Sequence, residues 1–265
     1  MIKKKKKKIF SIIVVSLNTK SKFIKTFNSI VNQKFKNYEI IVVDGGSIDG
    51  TINEIHKRKH KIDKYIIEKD KGIYDAMNKG IRCSNGSWII FLNSGDKFFK
   101  NNILYNINKK KLDNYEIVFG NTAISKNTFK YHVKSKNFKK NTYFMPFCHQ
   151  SVFTKKKLFR FKKFNTNYKL ASDFDFYYYN FKKSKKFLKI NNIISEIEAG
   201  GFSDTNRVSV YKEYKKIYRK YNINYINVPV YFLSILYYRI GQMLKIILGN
   251  YLTNFILKVK YSHLK

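Results

Sequence analysis

From Phe10 onward the chain alternates two kinds of hydrophobic pattern. The segment from Phe10 to Leu17, FSIIVVSL, is an almost unbroken apolar run of strand length, whereas Phe23, Ile24, Phe27, Ile30 and Val31 recur at helical spacing after Ser21, a residue able to cap a helix. Tyr38 to Val43 repeats the buried-strand pattern, Thr51 to His60 reads as a helix, and Tyr65 to Ile67 as a short strand before a helix starting near Gly72; Trp88 to Leu92 makes a fourth strand. In the helix after Gly72, the residues Ile73, Ala76, Met77, Gly80 and Ile81 share the apolar face, which leaves Asp75, Asn78 and Arg82 together on the solvated one. Alternating strands and helices require right-handed crossovers, so the pattern predicts an α/β fold with a mostly parallel sheet covered on both faces.

Beyond Tyr115 the rhythm changes. YEIVFGNTAI and FKYHV alternate like strands of a smaller mixed sheet, and the last segment, from Val228 to Leu257, is mostly aliphatic or aromatic. The expected organisation is one unit over residues 1–222, with halves at about 9–100 and 101–205, followed by a helical tail over 223–265. Arg239 and Lys245 interrupt the tail, so no uncharged run reaches the length a spanning helix needs. Wound as a helix from Pro229, it carries Ser234, Arg239, Gln242, Lys245, Gly249 and Thr253 on one polar stripe, the pattern of a helix lying on an anionic membrane surface. A helix packed against the protein itself would show the same stripe.

Lys and Arg number 54 against 17 acids, a net charge of +37. The lysines are spread over the whole chain and do not share one element with stacking aromatics, so a solvated surface drawn to anionic lipid fits better than a nucleic-acid partner. Hydrophobic residues at 44% are enough for a packed core. Cys83 and Cys148 lack CxxC spacing, which fits a reducing cytoplasm and supports neither a disulfide framework nor a zinc site. The basic start before Ile9 is followed by no small-residue cleavage site, so the apolar run after it reads as a strand and not as a signal peptide.

In open α/β sheets, ligands bind outside the carboxyl ends of the strands, where Asp44, Asp70 and Asp96 all fall. Aspartate is also a common turn and capping residue, and Asp49, just before Gly50, suits that role. Asp44 differs because it follows the apolar run IIVV directly, and Gly45 and Gly46 after it allow a ligand close to the backbone. No GxGxxG follows a strand, which disfavours a dinucleotide site.

With VVDGGSIDGT, then DKGIYDAMNKGIRCSNGSWIIFLNSGD from Asp70 to Asp96, HQSVF from His149, ASDFD from Ala171 and AGGFSD from Ala199, the chain resembles family 2 glycosyltransferases of GT-A fold over about residues 9–205. The branch it is most similar to acts on cell-surface polysaccharides and lipid-linked sugars. The resemblance implies an inverting enzyme that moves a sugar from a nucleotide-sugar donor to a hydroxyl of a glycan or lipid-linked saccharide, with Mn²⁺ or Mg²⁺. Together with the cysteine usage and the tail, the expected location is the cytoplasm, peripheral to the inner face of the cell membrane.

Residue by residue, the resemblance implies that Asp44 and Gly45 meet the nucleotide base, with Asp70 and Gly72 close to base or ribose. Asp75 lies at the crevice end of its helix. Ser94 and Asp96 stand at the Asp-any-Asp metal motif, where Asp96 is the metal acid and Ser94 lacks the first charge. Asp173 matches the catalytic base, with Ser172 in place of the preceding acid. His149 is either a core histidine or a contact to acceptor or phosphate, and the loop at Gly200–Gly201 would bring Ser203 over the diphosphate. Asp173 and Asp175 are also placed to complement a helix dipole with Ser172 as cap, and their spacing lets at most one face the donor. The departures at Ser94 and Ser172 keep open a second reading, a catalytically inactive relative that binds a sugar or a partner.

Overall fold

The computed structural model describes residues 8–110, 112–126, 129–140, 142–201 and 205–223, together with positions 236 and 240. The tail expected over 223–265 and the loop residue Ser203 therefore lie almost wholly outside the described residues.

The apolar runs form strands β1 (Phe10–Ser16), β2 (Tyr38–Asp44), β3 (Lys64–Ile67) and β4 (Trp88–Phe91), all parallel, in the order β3-β2-β1-β4. Successive side chains of a strand point to opposite faces, and here both faces are covered. Phe10, Ile12, Val14, Ile40, Val42 and Ile90 pack with Phe23, Phe27 and Ile30 of helix α1 (Lys20–Val31). Ile13, Val15, Ile41, Val43, Ile89 and Phe91 pack on the opposite face with Ala76, Met77 and Ile81 of helix α3 (Ile73–Cys83); α2 is Thr51–Lys57. A single-turn 3₁₀ segment at Lys59–Lys61 replaces the end of the helix expected to reach His60.

Three expectations are corrected. The first is the separate smaller sheet: among the described residues all strands join one sheet, in the order β3-β2-β1-β4-β8-β6-β9-β5, with β7 paired to β6. Here β5 is Lys97–Phe98, β6 Ile117–Lys126, β7 Phe129–Val133, β8 Val152–Lys155 and β9 Phe187–Glu198. The join is antiparallel, Trp88 to Lys155 and Ile89 to Thr154, so β8 carries the sheet across from the parallel half to a mixed half. The second concerns α3: after Gly72 at φ 120°, the helix buries Tyr74 and leaves Ile73 37% exposed. Asn78 is also buried, its carboxamide paired with both backbone groups of Phe164 at 2.9 and 3.2 Å. The third concerns caps. Helix α1 begins at Lys20, whose N–H is met at 2.9 Å by the Asp49 carboxylate from another loop, so Ser21 has no capping role.

Helix α4 (Ile103–Asn108) and the short α5 (Leu158–Phe161) cover the sheet before α6 (Ser172–Lys182) and α7 (Arg207–Lys220). Ser172 is the first residue of α6, its hydroxyl buried and unpartnered, and not the cap. The donors just before the helix are met by Glu213 of α7, whose carboxylate accepts the N–H groups of Lys169, Leu170 and Ala171 at 2.7–2.9 Å. Tyr214, Ile217 and Tyr218 continue the same core, Tyr214 lying 4.7 Å from the Phe174 ring. Among the described residues no helix is long and apolar enough to cross a membrane.

At the amino ends of the strands, the buried Glu39 accepts Ser11 Oγ at 2.6 Å, Gly86 N at 3.0 Å, and Asn85 N, stapling β1, β2 and the turn into β4. A Cβ at Gly86 would lie 2.5 Å from Ser11 Oγ and 2.6 Å from Ser11 N, where backbone cannot yield. Gly86→Ala should therefore destabilise the fold by about 3 kcal/mol or more, lowering the melting temperature by roughly 6–12 °C. A calorimetric melt within about 2 °C of wild type would show that the turn can move away.

Candidate active site

At the opposite, carboxyl ends of the strands, the polar residues gather. Asp44 ends β2 fully buried, and its two oxygens accept four hydrogen bonds: Gly46 N at 3.1 Å and Ser47 N at 2.7 Å on Oδ1, Ser16 Oγ and Ser47 Oγ at 2.7 Å on Oδ2. A carboxylate has about four lone-pair positions, so Asp44 is spent on shaping its own loop. Asn18 bridges the next loops, with its N–H on Ser47 Oγ and its Oδ1 accepting Ile48 N, both at 2.8 Å. Leu17 and Ile48 are left 56% and 92% exposed at this edge. Their signal in the sequence is an apolar residue at the start of or inside a polar loop.

Asp70, after β3, is held by Lys79 of α3 at 2.6 Å, and burial raises its carboxyl above the ordinary range against the pull of that lysine. Its Oδ2 lies 3.0 Å from where a Cβ on Gly45 would be. Asp75, in the first turn of α3, accepts Lys71 N at 3.1 Å, and that bond holds its carboxyl below the ordinary range. Gly72 and Asp75 thus shape the loop beside Asp70.

The turn after β4 holds Asn93, Ser94 and Asp96. It is pinned from α1 by Thr26 Oγ1, which donates to Asp96 O at 2.6 Å and accepts Gly95 N at 2.9 Å. Asp96 is 8% exposed; burial pushes its carboxyl up to about 7, although a hydrogen bond from Gln150 Nε2 to Oδ2 at 2.9 Å works the other way. Asn93 Oδ1 and Ser94 Oγ are buried without partners in the same turn. This is an all-oxygen donor set with one carboxylate, and among the described residues no group of three His, Cys, Asp or Glu could hold a metal alone. Such a set fits Mg²⁺ or Mn²⁺, which keep waters and substrate phosphates as their other ligands.

Asp173 sits on the first turn of α6, its side chain 14% exposed. Tyr74 Oη donates to Oδ1 at 3.0 Å, and His149 Nδ1 lies 3.4 Å from Oδ2. Burial, then the Asp173 charge, raises the Tyr74 phenol well above its ordinary value, so it remains a donor. His149 Nε2 meets Asn93 Nδ2 at 3.5 Å. His149 is thus neither a core residue nor isolated: it touches the Asp173 carboxylate and the Asn93 turn together. It begins a 3₁₀ turn, His149–Ser151, whose Ser151 hydroxyl pairs with Thr122 and Ser195 at 2.7 and 2.6 Å. Cys148, before it, gives its thiol to Gln150 Oε1, and burial pushes that thiol up to about 12, leaving it inert.

Asp175 points the other way. It is fully buried, with Lys162 at 2.6 Å, Lys220 at 2.8 Å and Tyr221 Oη at 2.9 Å, and it anchors the end of α7 on α6. Tyr74, Gln150, Asn93 and Lys79 are residues that sequence reasoning missed; the first three are recognisable only through a partner far away in the chain, and Lys79 through the acids that the turn before α3 folds back on it.

The family model "Glycosyl transferase family 2" matches residues 11–187. A PGL/p-HBAD biosynthesis glycosyltransferase of Mycobacterium bovis is 27% identical over 209 residues, covering 74% of this chain and 80% of the relative. Among solved structures, the mannosyltransferase PcManGT from Pyrobaculum calidifontis, in complex with GDP-Man and Mn²⁺, superposes with a TM-score of 0.61 at 15% identity, over 82% of this chain and 67% of that one. S. aureus TarS 1-349 in complex with UDP-GlcNAc gives 0.59 at 16% identity, over 80% of this chain, which spans 64% of the TarS chain. The fold is that of the GT-A glycosyltransferases.

Because the Asp96 carboxyl sits at about 7 in the folded protein and 3.8 ordinarily, its stabilising proton is fully present below about pH 4 and lost as pH rises through about 7. Asp96→Asn should remove that slope: the metal-free variant should melt progressively higher than wild type between about pH 5 and pH 8. Mn²⁺ should raise the wild-type melting temperature at about pH 8 and leave the variant unchanged. Equal, parallel pH profiles for the two metal-free proteins would show that Asp96 carries no burial penalty.

Proposed function

Since the chain belongs to glycosyl transferase family 2, we propose that it moves a glycosyl group, with inversion, from a nucleotide-sugar donor to a hydroxyl of a glycan or lipid-linked saccharide. The observation that carries this reading is one dipeptide holding two acids: His149 stands on Asp173 while Gln150 bonds Asp96. That arrangement sets a proton acceptor beside an oxygen-lined cation site, the two groups a displacement at a phosphorylated anomeric carbon requires. The solved neighbours hold UDP-GlcNAc and GDP-Man, which supports a nucleotide-sugar donor for this fold.

In the proposed reaction the acceptor oxygen attacks the anomeric carbon and gives its proton to the Asp173 carboxylate. The bond to the nucleoside diphosphate breaks with its electron pair leaving on phosphate oxygen. Tyr74 and His149 each occupy one edge of the Asp173 carboxylate, so its plane is set before the acceptor arrives. A divalent cation at Asp96, with Ser94 and Asn93 beside it, would supply charge neutralisation for the departing diphosphate. Asp70 and Gly72 line the donor end, and Ser203 is assigned to the diphosphate, though it lies outside the described residues. The catalytic unit is taken as residues 1–222, with the tail over 223–265 resting on an anionic membrane at the cytoplasmic face.

Asp173→Asn should lower release of nucleoside diphosphate from its donor by about 100-fold or more while donor affinity holds. Asp175→Asn should do the reverse, leaving turnover near wild type and removing roughly 3 kcal/mol of stability by stranding Lys162 and Lys220. Assaying a panel that includes UDP-GlcNAc and GDP-mannose checks both. Full turnover in Asp173→Asn would remove it from the mechanism.

For the membrane reading, the full chain should float with anionic phosphatidylglycerol vesicles at physiological salt and a version ending at Asn224 should not. Equal behaviour of the two would sink a membrane role for the tail.

A further inference from the structure

Lys79 lies within α3, 7% exposed, surrounded by acceptors. Its ammonium is 2.6 Å from Asp70 Oδ1, 2.9 Å from Glu68 Oε1 and 3.2 Å from the Lys69 carbonyl, so its three hydrogens are accounted for, and Asp75 Oδ2 at 3.6 Å adds only charge. Burial favours loss of its proton, but the bonds to Asp70 and Glu68 outweigh it and raise the ammonium above its ordinary value. A buried, permanently charged lysine is costly, and its position here is defined by the donor end of the crevice.

The consequence falls on Asp70. Lys79 takes Oδ1, and among the described residues Oδ2 accepts no hydrogen bond. That second oxygen lies 3.0 Å from the Cβ that Gly45 lacks, in space any side chain there would contest. Asp44, next in sequence, has all its lone pairs committed to Ser16, Gly46 and Ser47. Leu17 borders the same spot, its Cδ1 3.3 Å from the Gly45 Cβ position, and offers an apolar surface.

We propose that Lys79 is a positioning residue for the donor: by occupying Asp70 Oδ1 it holds Oδ2 over Gly45 as the charged acceptor for an N–H or O–H of the nucleoside, a role that Asp44 is too fully bonded to play. This rests on the reading of the crevice as the donor site. The pair works as a unit, since the lysine keeps the carboxylate both ionised and aimed, and removing either should have the same effect on binding.

Calorimetric titration of the full chain with UDP and with GDP, each with Mn²⁺, tests it. Asp70→Asn and Lys79→Met should each weaken binding of the preferred nucleotide by roughly 10- to 100-fold. The double variant should bind no worse than Asp70→Asn alone, because Lys79 acts only through Asp70. Gly45→Ala should also weaken binding with the Lys79 pair intact. Wild-type affinity in Lys79→Met, or a further loss in the double variant, overturns the inference; if Lys79→Met alone does not fold, the double variant still decides. Wild-type affinity in Asp70→Asn, or no binding of either nucleotide by wild type, would instead overturn the donor-site reading beneath it.

Discussion

The candidate site depends on His149 and Gln150 being neighbours in a rigid turn. One stands at the Asp173 carboxylate on α6 and the other hydrogen-bonds Asp96 after β4, so two segments distant in sequence are referenced to the same short stretch of backbone. That stretch is itself fixed from beneath, because Ser151 is locked between Thr122 on β6 and Ser195 on β9. Misplacing reacting groups by about an ångström costs orders of magnitude in rate, so a common anchor for both acids matters more than the strength of either bond. Both contacts of His149 are long, at 3.4 and 3.5 Å, which leaves it room to shorten one when a charged ligand enters.

The two ends of the sheet divide the work of buried polar groups. At the amino ends Glu39 is fully engaged by Ser11, Asn85 and Gly86 and does nothing but hold strands together. At the carboxyl ends some oxygens are deliberately short of partners: Asn93 Oδ1 and Ser94 Oγ have none. Unsatisfied buried oxygens cost stability, and their concentration in the turn that carries Asp96 fits the cation proposed there. Asp44 is as fully engaged as Glu39 although it sits at the second end.

Much of this was legible in the sequence, for identifiable reasons. The apolar runs of β1, β2 and β4 could be read because a strand buried on both faces must be apolar throughout. The opposed directions of Asp173 and Asp175 followed from helix geometry alone. What could not be read depends on pairing across distance. Nothing local in Asn78 announces that it will clamp the backbone of Phe164, and nothing in YEIVFGNTAI announces that β6 will pair in parallel with β9 and antiparallel with β8, merging both halves into one sheet. The burial of Tyr74 with Ile73 left exposed departs from the apolar periodicity, and it brings the Tyr74 hydroxyl to Asp173.

The grip of α7 on α6 extends beyond packing. Glu213 holds the three N–H groups before Asp173's helix, and Lys220 holds Asp175 two residues after Asp173, so α7 clasps the Asp173 turn from both sides. The family match ends at residue 187, where β9 starts and before α7 begins, so a protein cut at that boundary would lose both the strand that joins β6 to β5 and the clasp.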